Sequence, residues 1–564
     1  MEFLRQKRQV ALFYLFILAF VLLIYHFWTI QVRDHASYSW LAAEQGCYSV
    51  ALEDVPRGRI LDRNLIPLTA GTREKKVIVF PMLIDNKTAV ACTLAGILKV
   101  EPAQVESYFK RGACALPFNL GDEECREIEL IQSKGVLALP VSTRYGGRPL
   151  ASQVLGHLGK ITSPSEYKTL TEGGAKPYRY NDQVGKNGLE AIYEQDLKGL
   201  YPKSAVRVFH DAAGKLTGGG PVIEENLNDK GRRDLVLCID SLIQQIVEDI
   251  MDRMVIKGAV VVMEAGSGDI LAMAGRPAYQ PAHMEEYLKM GGQDRFSDHC
   301  TALYQPGSVF KVVVAAAALE EGLVTPGTMF TCTGEKESLI HCWYRPGHGS
   351  LTFAEAFAQS CNPVFARLAL ELGPAKLIGY ARRLGMENQS ITGYPVQFDS
   401  RQNLELIGAP YNLVNSSVGQ GPVLATPVQV AEMINTIVSG GFYHTPRLVK
   451  ELRTEGGDIT RLFKPSPGQQ SLSQKTVQDL QELMEMVTER GVGREAYVPE
   501  QGSAGKTGTA QLSGEDGGVN AWFAGYAPLA NPRYVVAVLV EGGVSGGESA
   551  APVFKEIIEK ILSN

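Results

Sequence analysis

Residues 305–321 read QPGSVFKVVVAAAALEE, a Pro-Gly turn followed by an apolar run that predicts a buried helix. Ser308 then lies at the start of the helix, and Lys311 lies three residues on, along the same face. A serine hydroxyl needs a neighbouring base to act as a nucleophile, and a lysine amine serves as that base only where burial or nearby cations lower its pKa. The backbone N–H groups of the helix start suit a developing oxyanion. The same pattern also fits a capping serine followed by a surface lysine, so alone it does not identify a catalytic pair.

A second candidate segment is Ser360-Cys361-Asn362. The run from Thr352 to Glu355 spells a capping box that predicts a helix leading to Ser360. Pro363 suits the first position of the next helix, and Gly373-Pro374 is predicted to end it. Ser360 and Asn362 are therefore predicted at a junction between two helices, where side chains can point into a cleft. In the alternative interpretation, Asn362 only caps the second helix.

A third candidate segment is KTGT at residues 506–509. The preceding glycine suggests a phosphate-binding P-loop, but that motif needs a glycine where Glu500 stands. A strand edge fits better, with lysine and threonine side chains facing a ligand carboxylate and Gly508 letting that ligand approach. A glycine-rich hairpin without function is the alternative.

The three motifs SxxK, SxN and KTG, in this order, form a signature of penicillin-binding proteins and class A β-lactamases. The chain resembles the membrane-anchored, monofunctional class B penicillin-binding proteins. Residues 56–64 (PRGRILDRN) and the segment around Gly188-Leu189-Glu190 are similar to the pedestal motifs of that family. The segment 298–304 departs from it, because many relatives carry an Asn-Arg pair there.

The predicted fold class is α+β. Short strands at 259–263, 270–273, 521–526 and 534–540 enclose a mainly helical middle, so one sheet should join both ends of this domain. By resemblance this is an antiparallel sheet flanked by helices, preceded by an elongated pedestal. The expected ranges are a cytoplasmic tail at 1–9, a transmembrane signal anchor at 10–31, a pedestal of the dimerisation type at 32–228, and a transpeptidase domain at 229–564. A polar stretch at 224–233 is predicted to be the linker, and a helix is predicted soon after it, over 241–254.

The N-terminal segment predicts a membrane location. Residues 10–30 contain no Asp, Glu, Lys or Arg. This apolar run is long enough for a helix to cross about 30 Å of hydrocarbon. Basic residues before it are expected to keep the short N-terminus in the cytoplasm, with the rest of the chain outside. A cleaved signal peptide is the alternative, but no small-residue cleavage site follows the run.

The resemblance implies a role for each motif residue. Ser308 is acylated by the penultimate D-alanine carbonyl of a peptidoglycan stem peptide, and Lys311 is the general base. Ser360 relays a proton to the leaving group, and Asn362 holds the substrate amide and orients Lys311. The substrate carboxylate is bound by Lys506, Thr507, Gly508 and Thr509. The backbone N–H groups of Ser308 and Thr509 form the oxyanion hole.

The resemblance also implies partners. An amine from a neighbouring stem peptide completes the cross-link, β-lactam antibiotics acylate the same serine, and the pedestal contacts a polytopic membrane glycan polymerase. Two other interpretations stay open from the residues: an anchored D,D-carboxypeptidase or β-lactamase, and a non-catalytic β-lactam sensor or scaffold. A nucleic-acid partner is not expected, because the net charge is −6.

No metal or organic cofactor is expected. All nine cysteines follow the anchor, and pairs such as Cys114–Cys125 or Cys332–Cys342 are candidates for disulfides in an oxidising exterior. Zinc was considered for Cys332, His341, Cys342 and His348, but the chain has neither a CxxC nor an HExxH motif.

Overall fold

A computed structural model describes residues 2–33, 38, 46–174, 176–211, 215–217, 220–224, 229, 231–284, 286–287, 293–395, 402–409, 411–511 and 518–564. The chain divides into two compact units. The smaller unit comprises residues 1–57, 70–144 and 199–231, and the larger comprises 58–69, 145–198 and 232–564. Half of the linker predicted at 224–233, residues 225–228 and 230, lies outside the described residues.

The N-terminal helix runs from Glu2 to Trp28 and continues as a π-helical turn, Thr29–Arg33. A stretch of 18 residues within its segment Val10–Arg33 has a mean hydropathy of 2.5. At 1.5 Å per residue, these 24 residues span about 36 Å, which exceeds the roughly 30 Å of a hydrocarbon core. Within the described part of the chain, this is the one helix long and apolar enough to cross a membrane.

Two small antiparallel sheets build the smaller unit. In sheet order, the first has strands Cys47–Ala51, Ala205–Phe209 and Val222–Glu224, and the second has strands Cys114–Asn119, Thr72–Val79 and Val136–Thr143. The helices of this unit beyond the N-terminal one are Lys87–Leu98, Pro102–Arg111 and Asp122–Leu130. Buried residues of the second sheet, such as Val77 and Val79, form one core with Leu94 and Val105 of the helices.

A five-stranded antiparallel sheet, called here the central sheet, organises the larger unit. In sheet order its strands are Ile270–Arg276, Gly258–Glu264, Tyr534–Glu541, Val519–Ala527 and Ala504–Gln511. The sheet therefore joins both ends of this part of the chain, as the sequence predicted. The predicted strands are confirmed, each extended by one to three residues, and the KTGT segment forms an edge strand.

Side chains alternate across the central sheet and bury both of its faces. On strand Gly258–Glu264, Val260 and Val262 belong to one core, and Val261 and Met263 belong to the other. Helices Ser241–Met254 and Ala551–Leu562 cover the first face. The core on the second face includes residues of helices Lys311–Glu320, Phe353–Ala358, Asn362–Arg383, Pro427–Val438 and Gln474–Glu489. The α+β class is thereby confirmed.

Segment 58–69, part of the first pedestal-like motif, belongs to the larger unit. Its strand Ile60–Leu61 joins a four-stranded sheet with Arg233–Leu237, Val449–Thr454 and Ile459–Leu462. The Arg59 guanidinium holds the buried Asp234 carboxylate through Nε at 3.0 Å and Nη2 at 2.6 Å. The two compact units interleave along the chain, so their bounds do not correspond to the four predicted domain ranges. Those four ranges stay a prediction.

The remaining elements of the larger unit are short. The strands pair as Leu158–Lys160 with Gln183–Gly185, Met329–Cys332 with Gly349–Thr352, and Phe442–Tyr443 with Gln469–Gln470. The helices are Ser152–Leu155, Pro164–Glu172, Gly188–Ile192, Glu194–Leu197 and Asn412–Ser417. All nine cysteines are free thiols, so neither candidate pair is bonded.

Candidate active site

Ser308 lies in a 3₁₀ turn, Gly307–Phe310, that leads directly into the buried helix Lys311–Glu320. Gly307 has a φ of +55°, and a Cβ there would meet the Thr509 carbonyl oxygen at 2.7 Å. On the facing strand, a Cβ on Gly508 would meet the Pro306 carbonyl oxygen at 2.5 Å. Both glycines are therefore required because two backbones approach closely. This approach brings the SxxK and KTG segments together.

Two further contacts hold the turn before Ser308. The Gly307 N–H donates to the Gly419 carbonyl at 3.0 Å. The Trp522 indole N–H donates to the Gln305 carbonyl at 3.0 Å, and Trp522 lies opposite Gly508 in the central sheet. Sequence reasoning missed Gly419 and Trp522, and no local pattern around either residue signals the contact.

Lys311 connects the SxxK and SxN segments. Its ammonium Nζ donates to the Ser360 carbonyl at 2.7 Å, to Asn362 Oδ1 at 2.7 Å and to Ser360 Oγ at 3.2 Å. The side chain is fully buried, and this desolvation lowers the pKa of Lys311 to about 7, against an opposing effect of the Cys361 and Cys342 thiols. A substantial fraction of the amine is therefore neutral near pH 7, which a general base requires.

The SxN segment lies at the predicted helix junction. The capping box is present, with Thr352 Oγ1 accepting from the Glu355 N–H and the Glu355 carboxylate accepting from the Thr352 N–H. Ser360 has a φ of +53°, an uncommon left-handed conformation for a residue other than glycine. The next helix begins at Asn362, and the non-helical backbone of Gly373 (φ +75°, ψ +163°) ends it before a second helical segment continues to Arg383.

Lys506 is the second buried lysine of the site. Its Nζ donates to the Thr507 carbonyl at 3.3 Å and lies 5.6 Å from the centroid of the Phe357 ring. Burial, together with the charge of Lys311, holds the pKa of Lys506 well below its usual range. Thr507 is buried, whereas Thr509 is exposed and its hydroxyl accepts from the Gly546 N–H at 3.1 Å.

The three motifs therefore converge, and the sequence-predicted site residues lie on the elements just described: Ser308, Lys311, Ser360, Asn362, Lys506, Thr507, Gly508 and Thr509. One more group lies beside them. Cys332, Cys342 and His348 come together with Cys361, whereas His341 is not part of the group. From the sequence, Cys332, Cys342 and His348 are named together, but Cys361 is not included, because it is interpreted only as the middle residue of SxN.

The fold and the site define a class of protein. A central antiparallel sheet, a buried lysine one turn after a serine, and a second lysine on the sheet edge are the arrangement of the serine enzymes that carry SxxK, SxN and KTG motifs.

The comparisons agree with that class. Residues 258–559 match the family model of the penicillin-binding protein transpeptidase domain, and residues 52–225 match that of the penicillin-binding protein dimerisation domain. The chain therefore belongs to the family of penicillin-binding protein transpeptidases, and the resemblance to the class B members is confirmed.

Individual relatives cover most of the chain. It is 30% identical to stage V sporulation protein D of Bacillus subtilis, over 90% of this chain and 78% of that protein. It is 25% identical to the peptidoglycan D,D-transpeptidase MrdA of Salmonella typhimurium, over 99% and 96% respectively. Among solved structures, a peptidoglycan synthase complex aligns with a TM-score of 0.69 at 25% identity, covering 98% of this chain and 97% of that one. The Helicobacter pylori penicillin-binding protein PBP2 shares the fold, with a TM-score of 0.67 at 24% identity over 92% and 99%.

Proposed function

We propose that this protein is a peptidoglycan D,D-transpeptidase that uses Ser308 as its nucleophile. The observation that carries the proposal is the position of Lys311, which is buried, bonded to Ser360 and Asn362, and placed one turn after Ser308. Relatives over nearly the whole chain are named peptidoglycan D,D-transpeptidases, which supports the same reaction. A hydrolase or a silent scaffold is not favoured by any of these relatives.

The acylation step begins with the Ser308 hydroxyl. Its oxygen attacks the carbonyl carbon of the penultimate D-alanine, and its proton passes to the neutral amine of Lys311. The negative charge that develops on the carbonyl oxygen is stabilised by the backbone N–H groups of Ser308 and Thr509. These groups lie on facing segments, because the Thr509 backbone packs against Gly307.

The leaving group requires a proton. Ser360 Oγ lies 3.2 Å from Lys311 Nζ and relays the proton from Lys311 to the nitrogen of the terminal D-alanine as the amide bond breaks. Asn362 Oδ1 accepts a hydrogen bond from the Lys311 amine, and this bond fixes the orientation of that amine. The amine of a second stem peptide then attacks the acyl-enzyme carbonyl, which forms the cross-link and releases Ser308.

The substrate carboxylate is bound at the sheet edge by Lys506, Thr507, Gly508 and Thr509. Burial disfavours a charge on Lys506 while the site is empty, and an arriving carboxylate restores that charge by forming an ion pair. A β-lactam carboxylate is expected to use the same groups, which places its reactive carbonyl at Ser308.

The proposal includes a location and a partner. Segment 10–31 spans the cytoplasmic membrane once, residues 1–9 remain in the cytoplasm, and both the pedestal at 32–228 and the transpeptidase domain at 229–564 lie outside. A similar solved chain belongs to a complex described as coordinating polymerisation and cross-linking. We infer that the pedestal of this chain contacts a glycan polymerase in the same membrane.

A covalent label tests the proposal. Fluorescent penicillin is expected to label the full-length protein, and peptide mapping is expected to place the adduct on Ser308. Ser308→Ala should abolish labelling, whereas Ser267→Ala, in a surface turn of the same unit, should label as the wild type does. Thermal melting of both variants checks that they are folded. Labelling that persists in folded Ser308→Ala would contradict the assignment.

A further inference from the structure

A buried histidine lies shortly before Ser308 in the chain. His299 is 2% exposed, and it belongs to segment 298–304, which departs from the family pattern. Strand Ile270–Arg276 packs against it, since a Cβ on Gly275 would lie 3.2 Å from the His299 Cβ. None of the reaction steps proposed above uses this side chain, so a polar ring buried here needs another explanation.

Hydrogen bonds fix the position of one proton on the His299 ring. Nε2 lies 3.1 Å from the backbone carbonyl oxygen of Asp294, and because a carbonyl oxygen can only accept, Nε2 carries a proton. Nδ1 lies 2.8 Å from the Tyr304 hydroxyl. Burial raises the pKa of the Tyr304 phenol well above its usual range, so that hydroxyl keeps its proton. In a neutral ring, Nδ1 therefore accepts a hydrogen bond from Tyr304.

A neutral ring leaves a nearby carboxylate oxygen without a donor. Glu541 Oε1 is buried, accepts no hydrogen bond from the described residues, and lies 3.3 Å from His299 Nδ1. Burial raises the pKa of Glu541, but the neighbouring His299 and Lys257 lower it below its usual value, so the carboxyl group is ionised at neutral pH. A buried carboxylate oxygen without a donor is unfavourable.

A second proton on the ring completes the network. Once Nδ1 carries a proton, it donates either to Glu541 directly or to the Tyr304 oxygen. In the second case the Tyr304 hydroxyl no longer donates to the ring, and it passes its own hydrogen bond on to Glu541. In either case Glu541 gains a donor, and the ring, Tyr304 and Glu541 form one connected network.

Charged groups surround the ring on several sides. Asp294 Oδ1 lies 3.7 Å from Nε2, on the side opposite Glu541. Lys257 binds both carboxylates, at 2.8 and 3.2 Å, and offsets part of their charge. The other charged or titratable groups on the elements packed around His299 are Asp298, Cys300, Tyr304 and Arg276, and Arg276 is paired with Asp252 at 2.6 Å. The charge of the ring itself therefore decides whether Glu541 Oε1 has a donor.

Tyr304 connects this network to the turn that carries Ser308. Its backbone N–H and carbonyl pair with Ala425, at 2.9 and 2.8 Å. Its ring packs edge-on against Trp522, with centroids 6.3 Å apart. The Trp522 indole N–H in turn donates to the carbonyl of Gln305, the residue that follows Tyr304. The orientation of the Tyr304 ring therefore affects the support of the turn that begins at Gln305.

We propose that His299 is a positioning residue for acylation of Ser308, and that its protonated ring holds Tyr304 in place. The proposal rests on the proposed function, because acylation is the step that it affects. When Nδ1 loses its proton, Glu541 loses its donor and the Tyr304 hydroxyl is bonded to the ring alone. The turn before Ser308 is then supported less firmly, and acylation slows. His299 acts through Tyr304 and not on the substrate.

Two conservative variants of the full-length protein test this role. His299→Gln keeps a neutral donor and acceptor but cannot carry a charge, and Tyr304→Phe keeps the ring but removes the hydroxyl. At about pH 6, where histidine is readily protonated, each variant should acylate with penicillin about tenfold more slowly than the wild type, the effect of a displacement well below about 1 Å. The dissociation constant of the noncovalent penicillin complex should stay within about twofold, because neither side chain belongs to the binding groups.

The matched control is His283→Gln, at an exposed histidine of the same unit. This variant should acylate at the wild-type rate. Thermal melting verifies that each variant is folded. If His299→Gln fails to fold, Tyr304→Phe still tests the role, because acylation of a folded Tyr304→Phe at the wild-type rate would overturn the proposal.

The double variant distinguishes one shared path from two independent losses. His299→Gln combined with Tyr304→Phe should acylate no more than about twofold more slowly than the slower single variant, because His299 acts through Tyr304. Losses that multiply to about a hundredfold would show that the two side chains act independently, and would overturn the proposal.

The pH profile tests the charge of the ring. Because Lys311 titrates in both proteins, its contribution cancels in the ratio of the wild-type acylation rate to that of His299→Gln. This ratio should be largest at about pH 6 and fall towards one as the pH rises to about 8.5. A ratio that does not change with pH would overturn the role of the protonated ring, since a purely structural contribution would be the same throughout.

Failure of this proposal can be distinguished from failure of the proposed function. Wild-type protein that is labelled at Ser308, with acylation unaffected in both variants, would overturn only the positioning role. Wild-type protein that is never labelled at Ser308 would overturn the proposed function, and the positioning role with it.

Discussion

Two regions surround Lys311, and they are held in different ways. On the nucleophile side, every residue from Lys311 to Leu319 is buried, and the turn before them packs on the edge of the central sheet. On the other side, residues 333–350 bury only three of their members, and none of the three is a large apolar side chain. The first region is positioned by packing, and the second by discrete bonds.

The difference indicates how each region should respond to change. A packed region distributes its stability over many contacts, so a small steric change shifts the geometry and activity falls by degrees. A region held by a few discrete bonds, such as the hydrogen bond from the Trp343 indole N–H to the Gln359 carbonyl, depends on each of them, so loss of one bond is expected to loosen the loop. The predictions below test this contrast, beginning with the largest expected effect.

Lys311→Arg should reduce the rate of penicillin acylation by about 10²–10⁴-fold, the range typical of a general base. A guanidinium stays protonated at neutral pH and cannot accept the Ser308 proton. Stopped-flow measurement of acylation, with thermal melting to verify folding, checks this. An acylation rate within threefold of the wild type would remove Lys311 from the mechanism.

Gly508→Ala should slow acylation by about 10²-fold, because the added Cβ meets backbone atoms of the turn that carries Ser308 and displacements near 1 Å have effects of this size. The matched control is Gly327→Ala, where a Cβ would meet nothing within 4 Å. The expected signature is a lower acylation rate in a protein that thermal melting shows to be folded. An acylation rate as fast as that of Gly327→Ala would show that the close approach of the two backbones is not required.

The smallest expected effect comes from a comparison of two helix capping boxes. Thr352 begins helix Phe353–Ala358, which leads to Ser360, and Thr426 begins helix Pro427–Val438, which packs against the central sheet. Thr→Ala at either cap should lower the free energy of unfolding by about 1 kcal/mol, since an N–H at the helix start loses its acceptor. Denaturant unfolding measures this loss.

The two caps should differ in their effect on the site. Only Thr352→Ala should also slow penicillin acylation, because its helix leads to Ser360. Thr352→Ser should restore both the stability and the acylation rate, since serine is an equally good cap. An equal loss of acylation rate in the Thr352→Ala and Thr426→Ala variants would argue against a local connection.

Much of the fold could be predicted from local pattern. Helix Ser241–Met254 has the predicted bounds, and Asp240 caps it by accepting from the Leu242 and Ile243 N–H groups. The KTGT strand was predicted at an edge because a glycine and two threonines suit an exposed ligand surface, and the structure places it there. The predicted helix end at Gly373-Pro374 is also found, because Gly373 has non-helical backbone angles (φ +75°, ψ +163°) that divide the run Asn362–Arg383 into two helical segments.

Contacts between distant parts of the chain could not be predicted from the sequence. Nothing near Gly307 indicates that Thr509, some 200 residues away, lies against it. The pairing of Ile60–Leu61 with Arg233–Leu237 could not be predicted either, because a two-residue strand has no periodicity to detect. Both contacts depend on how the two backbones meet in the folded unit rather than on the residues beside them.

The sequence by itself determined which side chains carry the chemistry and where their helices and strands begin, because capping, periodicity and turn residues act over a few neighbouring positions. Only the tertiary structure decided that Lys311 meets Ser360 and Asn362, and that Cys361 joins Cys332, Cys342 and His348. These long-range contacts depend on burial of the whole central sheet and on the closure of long loops, which are properties of the complete chain.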